Sequence, residues 1–181
     1  MGKTMIISAS YRINGNGDTV ADFLAKGFQD AGKEYEVVYL RDKNIGPCRG
    51  CLACMKTGRC VFDDDMIELT EKIKGSTNLI LVTPVYYYSL PGQLKVMIDR
   101  LNPLYELPGE KELKNVYLLV TCAEKDKETA KPLTEELRSF VNVVPGIELK
   151  ESYTIASCYE KGDAARQKEE LEYVYNMAKS M

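Results

Sequence analysis

The sequence predicts a three-layer α/β fold, in which five parallel strands form a doubly wound sheet with helices on both faces. Strand and helix patterns alternate along the whole chain. Two of the strands, residues 79–82 and 116–120, are continuously apolar, which is typical of parallel strands covered on both faces. The chain of 181 residues has the length of one ordinary domain. We therefore expect a single domain over residues 1–181.

The first part of the chain supplies two strands and the helix between them. Residues 4–9 and 35–40 have the composition of short strands. Between them, apolar residues recur at helical spacing on one face: Val20, Phe23, Leu24, Phe28 and Ala31. We expect this helix to begin at Thr19, with Asp18 as its N-cap and Gly32 as its C-terminal stop.

The remaining elements follow the same alternation. A helix over residues 66–74 is followed by strand 79–82 and a second helix, then by strand 116–120 and a helix with Pro132 near its start. Residues 147–155 form the predicted fifth strand, and residues 163–179 the closing helix. Residues 41–62 have no regular pattern, and we expect a Cys-rich loop there.

Composition limits the function. Lys and Arg number 24 against 27 Asp and Glu, a formal net charge of −3, whereas nucleic-acid-binding proteins usually carry a basic excess. The sequence shows no signal peptide and no apolar run near the roughly 18 residues of a membrane helix. We therefore expect a cytoplasmic protein without nucleic-acid or membrane partners. The chain has no His, which excludes Ser–His and Cys–His catalytic pairs.

Ligands of doubly wound sheets bind beyond the carboxyl ends of the strands, which directs attention to the loop after the first strand. This loop, residues 8–19, contains Ser8, Ser10, Arg12 and Asn16 ahead of the predicted helix. Hydroxyls, one guanidinium and backbone N–H groups at a helix start are typical of an anion site. A P-loop motif is absent and G-x-G-x-x-G is incomplete. A polar connection with no ligand remains the alternative.

The loop after the third strand carries three consecutive tyrosines, Tyr86, Tyr87 and Tyr88. A flat aromatic ligand would explain them, because the rings could stack on it while Thr83 and Ser89 reach its polar edge. The alternative is that one or two of these rings cover a core edge or a subunit interface.

Two groups of charged residues have structural interpretations. Lys95, Asp99 and Arg100 fit a solvated ion-pair face or a helix–helix salt bridge. The acidic run at residues 63–65 fits helix capping better than a metal site.

These loops resemble the NAD(P)H-dependent FMN reductases of the flavodoxin-like superfamily. The similarity lies in S-x-R…D-T after the first strand, T-P-V-Y-Y after the third, and L-K-V-M-I-D-R beyond it, and it covers about the first 120 residues. The resemblance implies strand order 2-1-3-4-5 and bound FMN. It implies that the FMN phosphate lies near Ser8, Ser10, Arg12, Asn16, Asp18 and Thr19. It places the isoalloxazine ring near Pro84, Val85, Tyr86, Tyr87 and Tyr88, and above Thr121, Cys122, Ala123 and Glu124.

One departure from the family pattern concerns Asp18, which stands where Asn is common. A carboxylate beside a phosphate is unfavourable, so we expect Asp18 to turn away and cap the helix. Asn16 would then supply the missing donor.

Four cysteines, Cys48, Cys51, Cys54 and Cys60, form C-x₂-C-x₂-C-x₅-C. Closely spaced thiolates of this kind can hold an iron–sulfur cluster, and the motif resembles the iron–sulfur flavoprotein branch, which implies [4Fe–4S]. A Cys₄ zinc site and free thiols remain alternatives. Cys122 and Cys158 fit small buried residues.

The resemblance implies an FMN oxidoreductase that takes electrons from NAD(P)H or a ferredoxin-like protein. The acceptor would be a quinone, flavin or nitroaromatic compound, and the protein a homodimer or homotetramer. The alternatives are a cluster-free quinone or nitroaromatic reductase, a flavodoxin-type carrier without its own substrate, and a metal-sensing or scaffold protein.

Overall fold

The structure is a computed structural model that describes residues 2–106 and 111–181. Its five parallel strands lie in the order β2-β1-β3-β4-β5, which confirms the predicted flavodoxin-like, doubly wound sheet. The strands are β1 (Thr4–Ser8), β2 (Tyr35–Tyr39), β3 (Asn78–Pro84), β4 (Asn115–Thr121) and β5 (Glu148–Ile155). The α-helices in these ranges are α1 (Asn16–Asp30), α2 (Cys54–Thr57), α3 (Met66–Lys74), α4 (Gly92–Asp99), α5 (Pro103–Glu106), α6 (Lys131–Val143), α7 (Asp163–Arg166) and α8 (Lys168–Ser180), and Leu40–Asp42 and Lys127–Ala130 form 3₁₀-helices.

Helices cover both faces of the sheet because its strands carry apolar side chains on both. One face packs against α1 and α8, for example through Leu24 and Val174. The other packs against α3, α4 and α6, for example through Leu69, Leu94 and Leu137. The connection from β1 leads to β2 on one side of β1, and the connection from β2 leads to β3 on its other side. The gap between β1 and β3 is therefore the topological switch point.

Helix α1 begins earlier than predicted. Its first residue is Asn16, its N-cap is Gly15, and no side chain caps it. The prediction that Asp18 is the N-cap was therefore wrong, because Asp18 lies inside the first turn. The predicted stop is confirmed: Gly32 has a φ of +64° and follows the last turn.

At the end of the chain, the helices are shorter than the sequence pattern predicts. The predicted closing helix is divided at Gln167, whose ψ of 68° separates α7 from α8. Within residues 2–106 and 111–181, no helix is both long and apolar enough to cross a membrane.

Candidate functional site

A cavity of about 470 Å³ opens at the carboxyl ends of β1, β3 and β4. The loops after β1, β3 and β5 surround it. It lies at the topological switch point, where doubly wound sheets bind their ligands. Among the predicted cofactor residues, the cavity is lined by Ser10, Arg12, Asn16, Pro84, Val85, Tyr86, Tyr87, Thr121 and Ala123.

One end of the cavity is an anion site built on the first turn of α1. A Cβ placed on Gly17 would lie 3.1 Å from Ser10 Cβ and 3.8 Å from Ser8 Oγ. Ser8 Oγ is buried without a hydrogen-bond partner in the described structure. The first backbone N–H groups of a helix lack intrahelical partners and attract anions. The two hydroxyls and these amides therefore fit a phosphate group, and the absent Cβ of Gly17 leaves space beside them.

The Asp18 carboxylate lies in the first turn of α1 and is neutralised by Arg41, a side chain from outside that helix. Asp18 Oδ1 accepts a hydrogen bond from Arg41 Nη1 at 2.7 Å, and Asp18 Oδ2 accepts one from the Asn14 backbone at 2.7 Å. The two charged side chains are 7% and 11% exposed. The hydrogen bond to Asp18 raises the pKa of Arg41. Asp18 thus binds Arg41 and the loop backbone instead of capping the helix.

We expect Arg41→Ala to weaken both the fold and the anion site, because it leaves the nearly buried Asp18 carboxylate unpaired. Loss of one partner of such a pair costs about 3 kcal/mol, and urea denaturation of the apoprotein would measure it. FMN affinity, followed by fluorescence titration, should fall roughly tenfold or more. The double variant Asp18→Asn/Arg41→Ala should recover most of both losses. An Arg41→Ala protein that matches the wild type in both measurements would contradict this role.

Asn16 has a different role from the one expected. Its Nδ2 donates to the carbonyls of Cys158 and Glu160 at 3.1 and 3.0 Å, and its Oδ1 accepts from the Ala164 backbone at 3.0 Å. Both amide hydrogens are therefore used inside the protein. The Asn16 side chain joins α1 to the loop after β5, and only its backbone N–H is placed to meet a phosphate.

The tyrosine loop after β3 is a tight two-residue turn with unfavourable backbone angles. Tyr86 and Ser89 exchange backbone hydrogen bonds of 3.1 and 3.0 Å across it. Tyr87 and Tyr88 have φ values of +50° and +59°, a region that suits Gly or Asn and strains a bulky side chain. Ser89 Oγ donates to Glu136 Oε2 at 3.0 Å. The backbone pair within the turn and the contact of Ser89 with Glu136 thus hold a strained turn at the cavity mouth.

Glycine substitutions in this turn should distinguish the effect of backbone strain on stability from the effect of side-chain contact on FMN binding. Tyr88→Gly and Tyr87→Gly should each raise the free energy of unfolding of the apoprotein by about 1 kcal/mol, because the left-handed conformation costs an L-residue roughly that much. Tyr87 lines the cavity and Tyr88 does not, so only Tyr87→Gly should weaken FMN binding in a fluorescence titration. If both variants lost stability in urea denaturation, the turn would not be strained.

The sequence prediction missed the loop after β5, which forms one side of the cavity. Cys158 and Tyr159, in the loop after β5, line it, and the Tyr159 carbonyl accepts a hydrogen bond from Arg12 Nη1 at 3.0 Å. This loop also follows the carboxyl end of a strand, so the rule that selected the other loops could have selected it. Burial raises the pKa of the Cys158 thiol to about 12, which keeps it uncharged at neutral pH.

The other predicted cofactor residues lie beside the cavity, not on its surface. Cys122 is buried, as predicted, and so is Cys158, which lines the cavity from the loop after β5. Thr19 Oγ1 donates to the Gly15 carbonyl at 3.3 Å. Glu124 is exposed, and its carbonyl accepts a hydrogen bond from the Ser157 backbone at 2.8 Å.

The start of the Cys-rich loop is fixed by a buried ion pair. Arg100 Nη1 and Nη2 donate to Asp64 at 2.8 and 2.9 Å, and Nη1 also donates to the Gly46 carbonyl at 2.7 Å. Asp64 Oδ1 accepts from the Met66 backbone at 3.1 Å, so it also binds the first N–H of α3, whose N-cap residue is Asp65. Arg100 is therefore buried in a bridge between segments, whereas Lys95 and Asp99 form the predicted exposed pair at 2.6 Å.

The four predicted metal ligands lie apart in this loop. Cys48 and Cys51 are exposed. Cys54 begins α2, where Asn102 Nδ2 donates to its sulfur at 3.4 Å, and Cys60 lies beyond the turn at Gly58. Within residues 2–106 and 111–181, no three Cys, Asp or Glu side chains converge as metal ligands. The four sulfur atoms are thus not gathered around one point in this structure, and the iron–sulfur cluster stays a prediction from the spacing.

Known proteins are similar to this chain in sequence and fold. The family model for NADPH-dependent FMN reductase matches residues 3–160. An iron–sulfur flavoprotein of Archaeoglobus fulgidus is 38% identical over 106 residues, 59% of this chain and 48% of that protein. A Bacillus subtilis protein, named as an NAD(P)H-dependent FMN-containing oxidoreductase, is 25% identical over 93% of this chain and 92% of its own. The solved NAD(P)H:quinone oxidoreductase of Methanothermobacter marburgensis has a TM-score of 0.77 at 15% identity, covering 98% and 94% of the two chains.

The similarity to the Methanothermobacter structure, at 15% identity, shows the fold alone. The alignment with the Archaeoglobus protein spans about half of that relative's length. The family match is more informative, because residues 3–160 include every residue that lines the cavity. It confirms FMN as the expected cofactor. The chain therefore belongs to the NADPH-dependent FMN reductase family.

Proposed function

We propose that this protein is an FMN-dependent oxidoreductase that takes electrons from NAD(P)H and delivers them to a small acceptor such as a quinone, a flavin or a nitroaromatic compound. The cavity at the switch point carries the proposal. Its anion site combines the unpartnered Ser8 hydroxyl with the open face of Gly17. Its other end is walled by Pro84, Tyr86 and Tyr87, which suits a flat ring.

The proposed net reaction is NAD(P)H + H⁺ + quinone → NAD(P)⁺ + hydroquinone, in which two electrons leave the nucleotide and reduce the quinone. FMN, when bound, supplies the hydride and electron transfer. The protein supplies binding and exposure. Ser8, Ser10 and the α1 amides would hold the phosphate, while the strained tyrosine turn would set how much of the ring meets solvent. The absence of His from the sequence is consistent with this mechanism, because no side-chain base is required.

Turnover of the FMN-loaded protein tests the proposal. We expect steady oxidation of NADPH or NADH, followed at the nucleotide's absorbance, when a quinone is supplied, with hydroquinone formed in equal amount. The flavodoxin-type carrier predicts bound FMN that is reduced by a chemical reductant but no steady nucleotide oxidation. The scaffold alternative predicts no FMN.

A role for the four cysteines as ligands of [4Fe–4S] is a second proposal. It is supported by the C-x₂-C-x₂-C-x₅-C spacing and by relatives named as iron–sulfur flavoproteins. Cluster binding would require the four sulfur atoms to converge, which they do not do in the described residues. Anaerobic purification followed by iron, sulfide and zinc analysis tests it. Equal iron and sulfide near four per chain is expected, whereas zinc alone or no metal would sink it.

The remaining expectations concern surroundings and assembly. We expect a reducing cytoplasm, where clustered cysteines serve metal binding or redox chemistry instead of forming disulfides. The exposed side chains of Tyr105 and Val143, which line one concave surface, favour a homodimer or homotetramer. A ferredoxin-like donor is the protein partner to test when the cluster is present.

A further inference from the structure

A second concave surface lies at the edge of the sheet, next to the flavin cavity. It has a volume of about 580 Å³ and lies between the segment after β4, helix α6 and strand β5. Cationic side chains and hydroxyls dominate its lining: Lys127, Lys131, Arg138, Thr134, Ser152 and Thr154. We call this surface the β5-edge site.

The side chains that line the β5-edge site are three cations and one carboxylate, that of Glu128. Arg138 Nε also forms a long ion pair of 3.7 Å with Glu135, and these two side chains are 48% and 60% exposed. Lys127 is held in place by Glu170 at 2.9 Å and by the Tyr153 ring, whose centroid is 5.1 Å from Nζ. Lys131 makes no ion pair within the described part of the chain. The chain as a whole has a formal net charge of −3, so a cationic concavity here runs against the average composition.

The hydroxyls give the site polar partners at a fixed position. Thr134 Oγ1 and Ser152 Oγ lie 2.7 Å apart, which joins α6 to β5, and Thr134 Oγ1 also lies 3.4 Å from the Ala130 carbonyl. At least one hydrogen of this hydroxyl pair is therefore used within the protein, and Thr154 supplies a further hydroxyl in the lining. Lysine, arginine and hydroxyl donors together are the groups that bind phosphate oxygens.

The strand register places this site within a short distance of the flavin cavity. Thr154 pairs with Val120, and the next pair joins Ile155 to Thr121, which lines the cavity. Neighbouring strands are about 4.8 Å apart. A molecule whose flat ring lies in the cavity and whose phosphates extend from it can therefore reach the β5-edge site.

We propose that the β5-edge site binds the phosphate groups of the nicotinamide dinucleotide while its nicotinamide ring lies at the flavin cavity. This inference rests on the proposed function, because it assigns a site to the proposed electron donor. The bound group is the pyrophosphate, which NADH and NADPH share, or the 2′-phosphate, which only NADPH carries.

The test compares variants that change the charge of the site in opposite directions. Lys131→Ala/Arg138→Ala removes two cations, and the KM for the nucleotide should rise about tenfold or more, with kcat changed far less. Glu128→Gln removes the opposing carboxylate and should lower that KM. Lys114→Ala is the matched control, since this exposed lysine lies at the opposite end of β4, and its KM should equal that of the wild type.

The two nucleotides distinguish the source of the phosphate. A rise in KM for both NADH and NADPH identifies the pyrophosphate, and a rise for NADPH alone identifies the 2′-phosphate. Unchanged KM values for both nucleotides in the double variant, with FMN content equal to that of the wild type, would overturn the site.

A binding experiment separates this inference from the proposed function. Equilibrium titration of the FMN-loaded proteins with NADP⁺ and NAD⁺ needs no turnover. If the wild type bound nucleotide without oxidising NADPH, and the double variant bound it more weakly, the function would fail and the site would stand. Equal nucleotide affinity in the wild type and the double variant would remove the site and leave the function intact.

Discussion

Ser10→Asp is expected to abolish FMN retention. Ser10 is 5% exposed, and its side chain faces the first turn of α1, where the phosphate would bind. A carboxylate about 4 Å from a phosphate charge costs about 4 kcal/mol at the effective dielectric constant of such sites. That cost corresponds to a loss of roughly 10³-fold in affinity. Fluorescence titration of the apoprotein with FMN measures it directly.

Ser10→Asn is the matched control, because it has nearly the size of the Asp variant and no charge. We expect it to lose far less affinity than Ser10→Asp, and the two apoproteins to unfold at similar temperatures. Equal affinities for FMN in the two variants would show that no phosphate lies at this turn.

Asp64→Asn is expected to cause the largest loss of stability. The Arg100 side chain is 1% exposed and the Asp64 side chain 11%, so the variant leaves a buried guanidinium without its counter-charge. Breaking such a pair by removal of one partner costs about 3–5 kcal/mol. Urea denaturation of the apoprotein should show this decrease. The start of the Cys-rich loop should also become more accessible to proteolysis, because the Gly46 backbone N–H loses the Asp64 carboxylate that accepts its hydrogen bond.

The Asp64–Arg100 pair predicts that the stability of the fold depends on pH. Burial by itself would raise the pKa of Asp64, but hydrogen bonds from Arg100 and from the Gly46 and Met66 backbones outweigh it, and the pKa is lowered from 3.8. A carboxyl whose pKa is lower in the folded state stabilises the fold above its unfolded pKa and loses that contribution as the pH falls through the folded value. The stability difference between wild type and Asp64→Asn should therefore be constant near neutral pH and shrink below about pH 4.

Asp99→Asn provides the comparison for this pair. Lys95 and Asp99 are each 45% exposed, and exposed i,i+4 pairs contribute only about 0.3–0.5 kcal/mol. A loss in Asp64→Asn as small as that in Asp99→Asn would mean that the Arg100 bridge does not hold the loop.

The fold was predictable because its strands and helices are marked by local patterns. Continuous apolar runs identified β3 and β4, and helical spacing identified α1, whose stop at Gly32 is a local backbone requirement. The start of α1 was not predictable in this way. Asp18 looks like an N-cap in sequence, but Arg41, which follows β2, draws its carboxylate into an ion pair that only the tertiary structure creates.

The candidate site was predictable in its loops and less so in its side-chain roles. Hydroxyls after β1 and tyrosines after β3 indicated the loops that surround the cavity, together with the rule that ligands bind beyond the carboxyl ends of parallel strands. The amide of Asn16 was assigned to a phosphate, yet it binds carbonyls of a loop far along the chain. Such a contact leaves no trace in local spacing. For the same reason, the spacing of the four cysteines could not show how the loop places them.

The most direct measurement for the central claim is an equilibrium FMN titration of the apoprotein, run in parallel with Ser10→Asp. We predict saturation at one FMN per chain for the wild type and no saturation over the same range for Ser10→Asp, with both proteins folded by circular dichroism. Wild-type protein that does not bind FMN, or a Ser10→Asp variant that binds it as tightly as the wild type, would contradict the assignment of the flavin to this cavity.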